Sequence, residues 1–229
     1  PAPAPELAQP APTVEVVKPE LTKSAWHRSR DKALAGLLNF THGLENAQVY
    51  PCWQASKNGL HCETLEARTW TDFLAINRPA VLTLNTPTRH EAFVTVVAIK
   101  DNTASALVDG ELIDVSLDEL GTLWTGEYVI AWQRPELFET AIGLGSSGPL
   151  VDWLAERFSR LDNQQKPLAK GAFNKALEER VKLFQRSYGL ADDGLAGLQT
   201  LLRLGEALGE SRGLQDMKPA NDLRQAMEN

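Results

Sequence analysis

Apolar positions along the chain change period near residue 143, and the change divides the sequence into two kinds of structure. In KALAGLLNFTHG, Leu34, Leu37 and Leu38 recur at helical spacing with Gly43 just past the end, which predicts a first helix. WTDFLAINRPAVLTL predicts a short helix running into a strand, with Pro79 at the entry and Val81, Leu82 and Leu84 in the strand. AFVTVVAI, residues 92–99, is β-branched and predicts a second strand. SALVDGELIDVSL predicts a hairpin turning at Asp109-Gly110. LWTGEYVIAWQRP supplies Trp124 and a last strand, Tyr128 to Trp132, stopped by Pro135. A helix followed by several antiparallel strands is an α+β arrangement.

Beyond residue 143 every signal is helical. GLGSSGP predicts a flexible break and a domain boundary. After it come three apolar stripes: Leu150, Val151, Leu154, Phe158 and Leu161; then Phe173, Leu177, Val181 and Phe184; then Leu198, Leu201, Leu204 and Leu208. Three amphipathic helices must bury their stripes on one another, so a small three-helix module is expected. The expected organisation is a proline-rich linker over 1–22, an α+β domain over 23–139, a helical domain over 145–211 and a polar, frayed tail over 212–229. In polyproline form the linker extends about 3.1 Å per residue and reaches on the order of 60 Å.

Composition narrows the functions open to the chain. A net charge of -7 argues against sequence-independent nucleic-acid binding, which needs clustered Lys and Arg. With 43% hydrophobic residues a packed core is expected. No apolar run approaches the roughly 18 residues of a membrane span, and Pro1 to Pro19 lacks the apolar stretch of a signal peptide, so the chain reads as part of something longer. Cys52 and Cys62, in PCWQASKNGLHC, are the two cysteines. Their spacing is too wide for a metal-binding pair and no second pair accompanies them, so no metal or cofactor is expected. Two readings stay open: a pair of buried free thiols, or a disulfide, which is favoured and which persists only outside the cytosol.

VKLFQRSYGLADDGLAGLQTLLRL, residues 181–204, resembles the three-helix peptidoglycan-binding module found on many cell-wall hydrolases. The resemblance rests on Phe184-Gln185, Gly189-Leu190, Asp193-Gly194, Gly197 and Thr200. Most of these have structural tasks: a core plug, a left-handed helix end, a tight turn, a close helix start. The family's first Asp-Gly becomes Lys170-Gly171 here, a departure at the standard groove. The resemblance implies peptidoglycan as ligand, with polar contacts near the groove from Gln185, Arg186, Tyr188, Asp193, Gln199 and Arg203, and with Trp153 as a stacking platform.

The first domain resembles the papain-like cysteine peptidases of double-glycine transporters. In that family a Cys heads the first helix, a His begins a strand and an Asp follows the next strand. Here the nucleophile position falls at Ser29 to Asp31, the His position on Ala92 with His90 two residues earlier, and the Asp on Asp109. Acyl transfer lacks both its thiolate and its imidazole. The proline-rich start, the paired cysteines, NRPAVLTL and WTGEYVIAW together resemble the periplasmic part of the general secretion pathway protein A family. That resemblance implies a degenerate peptidase fold, a Gram-negative periplasm, a preceding inner-membrane helix and a nucleotide-hydrolysing domain; no Walker-type G-x-x-x-x-G-K run is present in this sequence. It further implies general secretion pathway protein B as companion and a role in placing the outer-membrane secretin, protein D, through the wall; homo-oligomerisation is compatible with it. The expected function is therefore non-catalytic wall binding and protein docking. The competing expectation is a peptidase or wall hydrolase with a rearranged site of Cys52, His90 and Asp109.

Overall fold

The computed structural model describes residues 26–45 and 47–215 of the 229. The proline-rich segment and the residues from 216 onward lie outside the described residues. Thirteen elements are described. In the first part α1 (Arg30–His42), α2 (Pro51–Lys57) and α3 (Trp70–Ile76) accompany β1 (His61–Glu66), β2 (Ala80–Asn85), β3 (Glu91–Lys100), β4 (Thr103–Val108), β5 (Glu111–Ser116), the short α4 (Leu117–Gly121) and β6 (Trp124–Trp132). The second part consists of α5 (Pro149–Leu161), α6 (Lys175–Ser187) and α7 (Leu198–Ala207). The α+β expectation and the three-helix expectation both hold. No helix among the described residues is long and apolar enough to cross a membrane.

The six strands form one antiparallel sheet in the order β1-β6-β2-β3-β4-β5. Its central strands are covered on both faces. Val81, Phe93, Val129 and Ala131 pack under Leu34, Leu37 and Leu38 of α1. The alternate residues Leu82, Leu84, Val94, Val96, Tyr128 and Ile130 join a larger core on the opposite face. That double burial is why β2 and β3 read as continuous apolar runs instead of alternating ones. Local chemistry fixes the element ends. Ser29 caps α1 by accepting from the Lys32 N–H, and Gly43 ends it in the left-handed region. Thr69 and Asp72 form a reciprocal capping box on α3. Asp109 and Gly110 both take positive φ, 49° and 87°, as the tight β4–β5 turn requires.

Gly126, at the bend of β6, shows a glycine that cannot be replaced. Its φ is 95°, and a Cβ there would stand 2.7 Å from the Ala67 carbonyl oxygen, in a residue held close by its own N–H donating to Gly126 O at 2.9 Å. Gly126→Ala is expected to destabilise the fold by about 1–3 kcal/mol, read as a lower urea midpoint with an unchanged slope.

The two parts are fused. The core of the sheet's lower face continues through Phe138 and Ile142 into Val151, Leu154, Phe158, Phe184 and Leu204 as one cluster. The stretch over 143–149, expected as a flexible break, is tied down instead. Ile142 and Ala196 exchange backbone hydrogen bonds at 3.2 and 2.8 Å, the Gly148 N–H donates to Gly171 O, and the Phe173 N–H donates to Ser146 O. The three glycines and two serines suggested freedom, but their small size serves close backbone pairing. The first residues of the expected tail are also held. Leu214 is fully buried, its N–H donates to Asn77 O at 3.1 Å, and its carbonyl accepts from the Ile99 N–H at 3.3 Å.

One side chain plugs this junction. Arg78, in the loop between α3 and β2, is 5% exposed. Its guanidinium donates to a Glu206 carboxylate oxygen, to the Leu202 carbonyl, to Ser211 Oγ at 3.0 Å and to the Asn77 carbonyl at 3.0 Å. Arg203 adds a contact to Ala75 O at 3.3 Å and an ion pair to Glu206 at 2.8 Å.

Candidate functional site

The peptidase-like end lies at the head of α1. Ser29 is spent as the helix cap, Arg30 reaches Thr64 Oγ1 at 2.9 Å, and Asp31 is exposed. Ala92 is buried in the sheet and brings no imidazole. His90 sits exposed in the β2–β3 turn, where its backbone bonds Thr86. Asp109 stands at the tip of the β4–β5 hairpin with its side chain 84% exposed. An imidazole that the sequence did not single out lies nearby. His27 pairs through its backbone with Phe93, and its Nδ1 is 3.6 Å from Asp109 Oδ1. No periodicity marks His27, because it precedes the first helix and is placed only by a two-residue bridge.

Both cysteines are consumed. Cys52 and Cys62 form a disulfide with a Cα–Cα distance of 5.6 Å, which leaves no free thiol in the chain. The rearranged site of Cys52, His90 and Asp109 is thereby overturned. Register gives a second reason. Cys62 pairs with Ala131, beside the Ala80–Ile130 pair, whereas His90 lies just past the Asn85–Glu91 pair at the other end of the sheet. At about 3.3 Å per residue the two ends stand roughly 20 Å apart along the strands.

In the helical module the expected contacts separate into two groups. Gln185 is 2% exposed and both its amide atoms are bonded: the two Nε2 protons are shared among Asp193 Oδ1, Leu195 O and Thr200 Oγ1, and Oε1 accepts from the Gly194 N–H. It is a buried brace for the turn that carries Asp193, whose own Oδ1 also accepts from the Leu195 N–H. Arg203 faces the first domain and braces the junction. Gln185 is thus buried inside the module and Arg203 is engaged with the first domain, so neither side chain is presented on the module's outer face. On the outside, Arg186 pairs with Asp192 at 3.1 Å, Tyr188 leans on Phe184 with ring centroids 4.6 Å apart, and Gln199 is exposed. Trp153 lies on a different side of the module, partly buried under the Arg157 guanidinium, 4.4 Å from the ring centre. The expected contacts thus do not converge on a single patch.

Between α1, the end of β6, α5 and α7 lies a cavity of about 510 Å³. It is lined from both parts, by Phe40, His42, Trp132, Trp153, Arg157 and Arg212 among others. It sits at the C-terminal end of α1, the opposite end from Ser29. Sequence reasoning missed it because its walls come from residues far apart in the chain.

Residues 147–204 match the family described as “Putative peptidoglycan binding domain”. Residues 41–134 match “GspA, peptidase C39-like domain”, so the head of α1 is placed by geometry and not by that match. The chain is 31% identical over 159 residues to general secretion pathway protein A of Aeromonas hydrophila, covering 69% of this chain and 29% of that one. It is 30% identical over 203 residues to “Putative general secretion pathway protein A” of Escherichia coli (strain K12), covering 87% of this chain and 41% of that one.

The chain belongs to the general secretion pathway protein A family. It spans less than half the length of these two relatives. A crystal structure of a periplasmic domain of the EpsAB fusion protein of the Vibrio vulnificus type II secretion system shares the fold, with a TM-score of 0.55, 24% identity and coverage of 90% of this chain and 87% of that one. The general secretion pathway protein A assignment and the disulfide fit one another, since the bond requires an oxidising compartment.

Proposed function

We propose that this chain is a non-catalytic, periplasmic part of a type II secretion assembly factor, which grips peptidoglycan and docks other proteins of the assembly. The observation that carries the reading is the fusion of a peptidoglycan-binding module, residues 147–204, into one core with a C39-like domain whose helix head offers hydroxyl, cationic and acidic groups. Without a thiolate there, and with both sulfurs bonded to each other, papain-type acyl transfer has no attacking atom. The boundaries follow: a docking domain over 23–139, a wall-binding domain over 145–211, with the proline-rich 1–22 as spacer. An inner-membrane anchor and further domains belong to the same proposal, and the two relatives, of which the chain covers 29% and 41%, are long enough to hold them.

Co-sedimentation of the whole chain with purified sacculi tests the wall-binding half. Retention in the pellet at physiological salt is expected, and a chain that stays in the supernatant refutes it. Co-purification with general secretion pathway protein B, and then with the secretin, tests the docking half. Rapid alkylation of untreated protein by iodoacetamide would count against the sealed disulfide and reopen a catalytic reading; no label is expected.

A further inference from the structure

The strongest unassigned feature is the 510 Å³ cavity at the junction, and its walls carry three chemistries that a single ligand must satisfy. The volume falls in the range of small-ligand sites, about 300–1,000 Å³. The first chemistry is charge. The chain as a whole is acidic, yet the cavity holds Arg157 and Arg212 against the single carboxylate of Glu210, the Arg78 cation being opposed by Glu206. Arg212 is exposed at the rim and makes no ion pair among the described residues. Arg157 holds Glu210 with both terminal nitrogens, while its Nε is buried without a hydrogen-bond partner. That Nε has no exposed surface, so Arg157 contributes its charge to the wall while Arg212 presents open guanidinium donors.

The second chemistry is an acceptor on the opposite wall. The Thr41 hydroxyl has one proton, donated to Leu37 O at 2.6 Å. The contact between Thr41 Oγ1 and His42 Nδ1, also 2.6 Å, must therefore carry the imidazole's proton. That fixes the tautomer and leaves Nε2 as an acceptor. Burial holds the His42 pKa below its ordinary value, so the ring stays neutral and keeps that lone pair. The C-terminal end of α1, which supplies Phe40, Thr41 and His42 to this wall, adds partial negative charge. The third chemistry is apolar: Phe40, Trp132 and Trp153 line the cavity, the Trp153 ring carrying the Arg157 guanidinium 4.4 Å from its centre.

We infer that this junction cavity is a muropeptide site: it takes the acidic peptide of a wall fragment with its carboxylate toward Arg157 and Arg212, its amide or hydroxyl donors toward His42 and its apolar surfaces on the tryptophans. The inference rests on the wall-binding reading above and moves the site from the outer face of the helical module to the junction. Both domains are then needed for recognition, and the glycan alone is a poor ligand because it brings no carboxylate to the arginines.

Calorimetric titration of the whole chain with a soluble disaccharide-tetrapeptide, beside a peptide-free oligomer of N-acetylglucosamine, tests this. Saturable muropeptide binding is expected, with the peptide-free glycan at least tenfold weaker. Arg212→Glu, at an exposed position that leaves the core intact, is expected to weaken the muropeptide at least tenfold. Lys166→Glu makes the same charge change on an exposed loop remote from the cavity and is expected to leave affinity within twofold. Equal binding of the two ligands overturns the inference, as does an Arg212→Glu protein that binds like its parent, or no muropeptide binding at all. Sacculus co-sedimentation in parallel separates the cases: retention with an indifferent Arg212→Glu protein sinks the site and spares the wall-binding reading, while loss of retention by the parent chain sinks both.

Discussion

Arg78→Ala is expected to lower the unfolding free energy by about 3–5 kcal/mol. Removal of the guanidinium leaves the Glu206 carboxylate, 10% exposed, with only part of its compensation, and strips a donor from the Leu202 carbonyl and from Ser211. Breaking a buried pair from one side costs more than the pair contributes, because the buried carboxylate is left with Arg203 as its one remaining cationic partner among the described residues. At roughly 2–4 °C per kcal/mol for a chain of this size, the melting temperature drops by about 6–20 °C. Arg78→Lys keeps the charge but cannot fork to several acceptors, so it is expected to fall between the parent and the alanine variant. Because the plug joins the two parts, the parent is expected to unfold in one transition, with far-ultraviolet circular dichroism and tryptophan fluorescence coincident. An alanine variant within 1 kcal/mol of the parent would show that Arg78 is not the plug described.

Loss of the disulfide ranks next. Cys52→Ser/Cys62→Ser is expected to destabilise the protein by about 3 kcal/mol, from the chain entropy returned to the unfolded state by a loop with a sequence separation of 10. The melting temperature should fall by about 6–12 °C. The bond joins α2 to the edge strand β1, and its sulfurs pack against the α1 core, so the loss concentrates there. Hydrogen exchange should quicken in β1 and α2 while α5, α6 and α7 keep their protection, provided exchange is measured well below the midpoint. A melting point unchanged by dithiothreitol in the parent protein is the result that contradicts it.

Much of the fold was legible because its signals are local. Leu34, Leu37 and Leu38 report α1, the Asp109-Gly110 turn reports the β4–β5 hairpin, and Phe158, Val181 and Leu204 report their helices by spacing alone. α2 and β1 were hidden inside the cysteine loop, since Glu63 and Glu66 break any apolar alternation at a sheet edge. α4, five residues long, has too few turns to show a period. The fusion of the two parts was not legible at all. Arg78 reads as an ordinary solvated cation, and its partners lie more than 120 residues downstream. The site shows the same divide. The Phe184-Gln185 and Asp193-Gly194 signatures located the module, but Gln185 proved to be its internal brace. The junction cavity draws Phe40 and His42 from one end of the chain and Arg157 and Arg212 from the other, and no pattern in sequence links them.

The strap at Leu214 has a mechanical consequence. His27 is hydrogen-bonded to Phe93 near the start of β3, and Leu214 to Ile99 near its end, about six residues or roughly 20 Å away along the same strand. Tension applied through residues 26 and 215 therefore enters the sheet at opposite poles and runs parallel to its strands. Because both anchors lie on β3, the load passes along that strand's own backbone, and the His27–Phe93 pair and the Leu214 contacts to Ile99 and Asn77 are the first bonds to bear it.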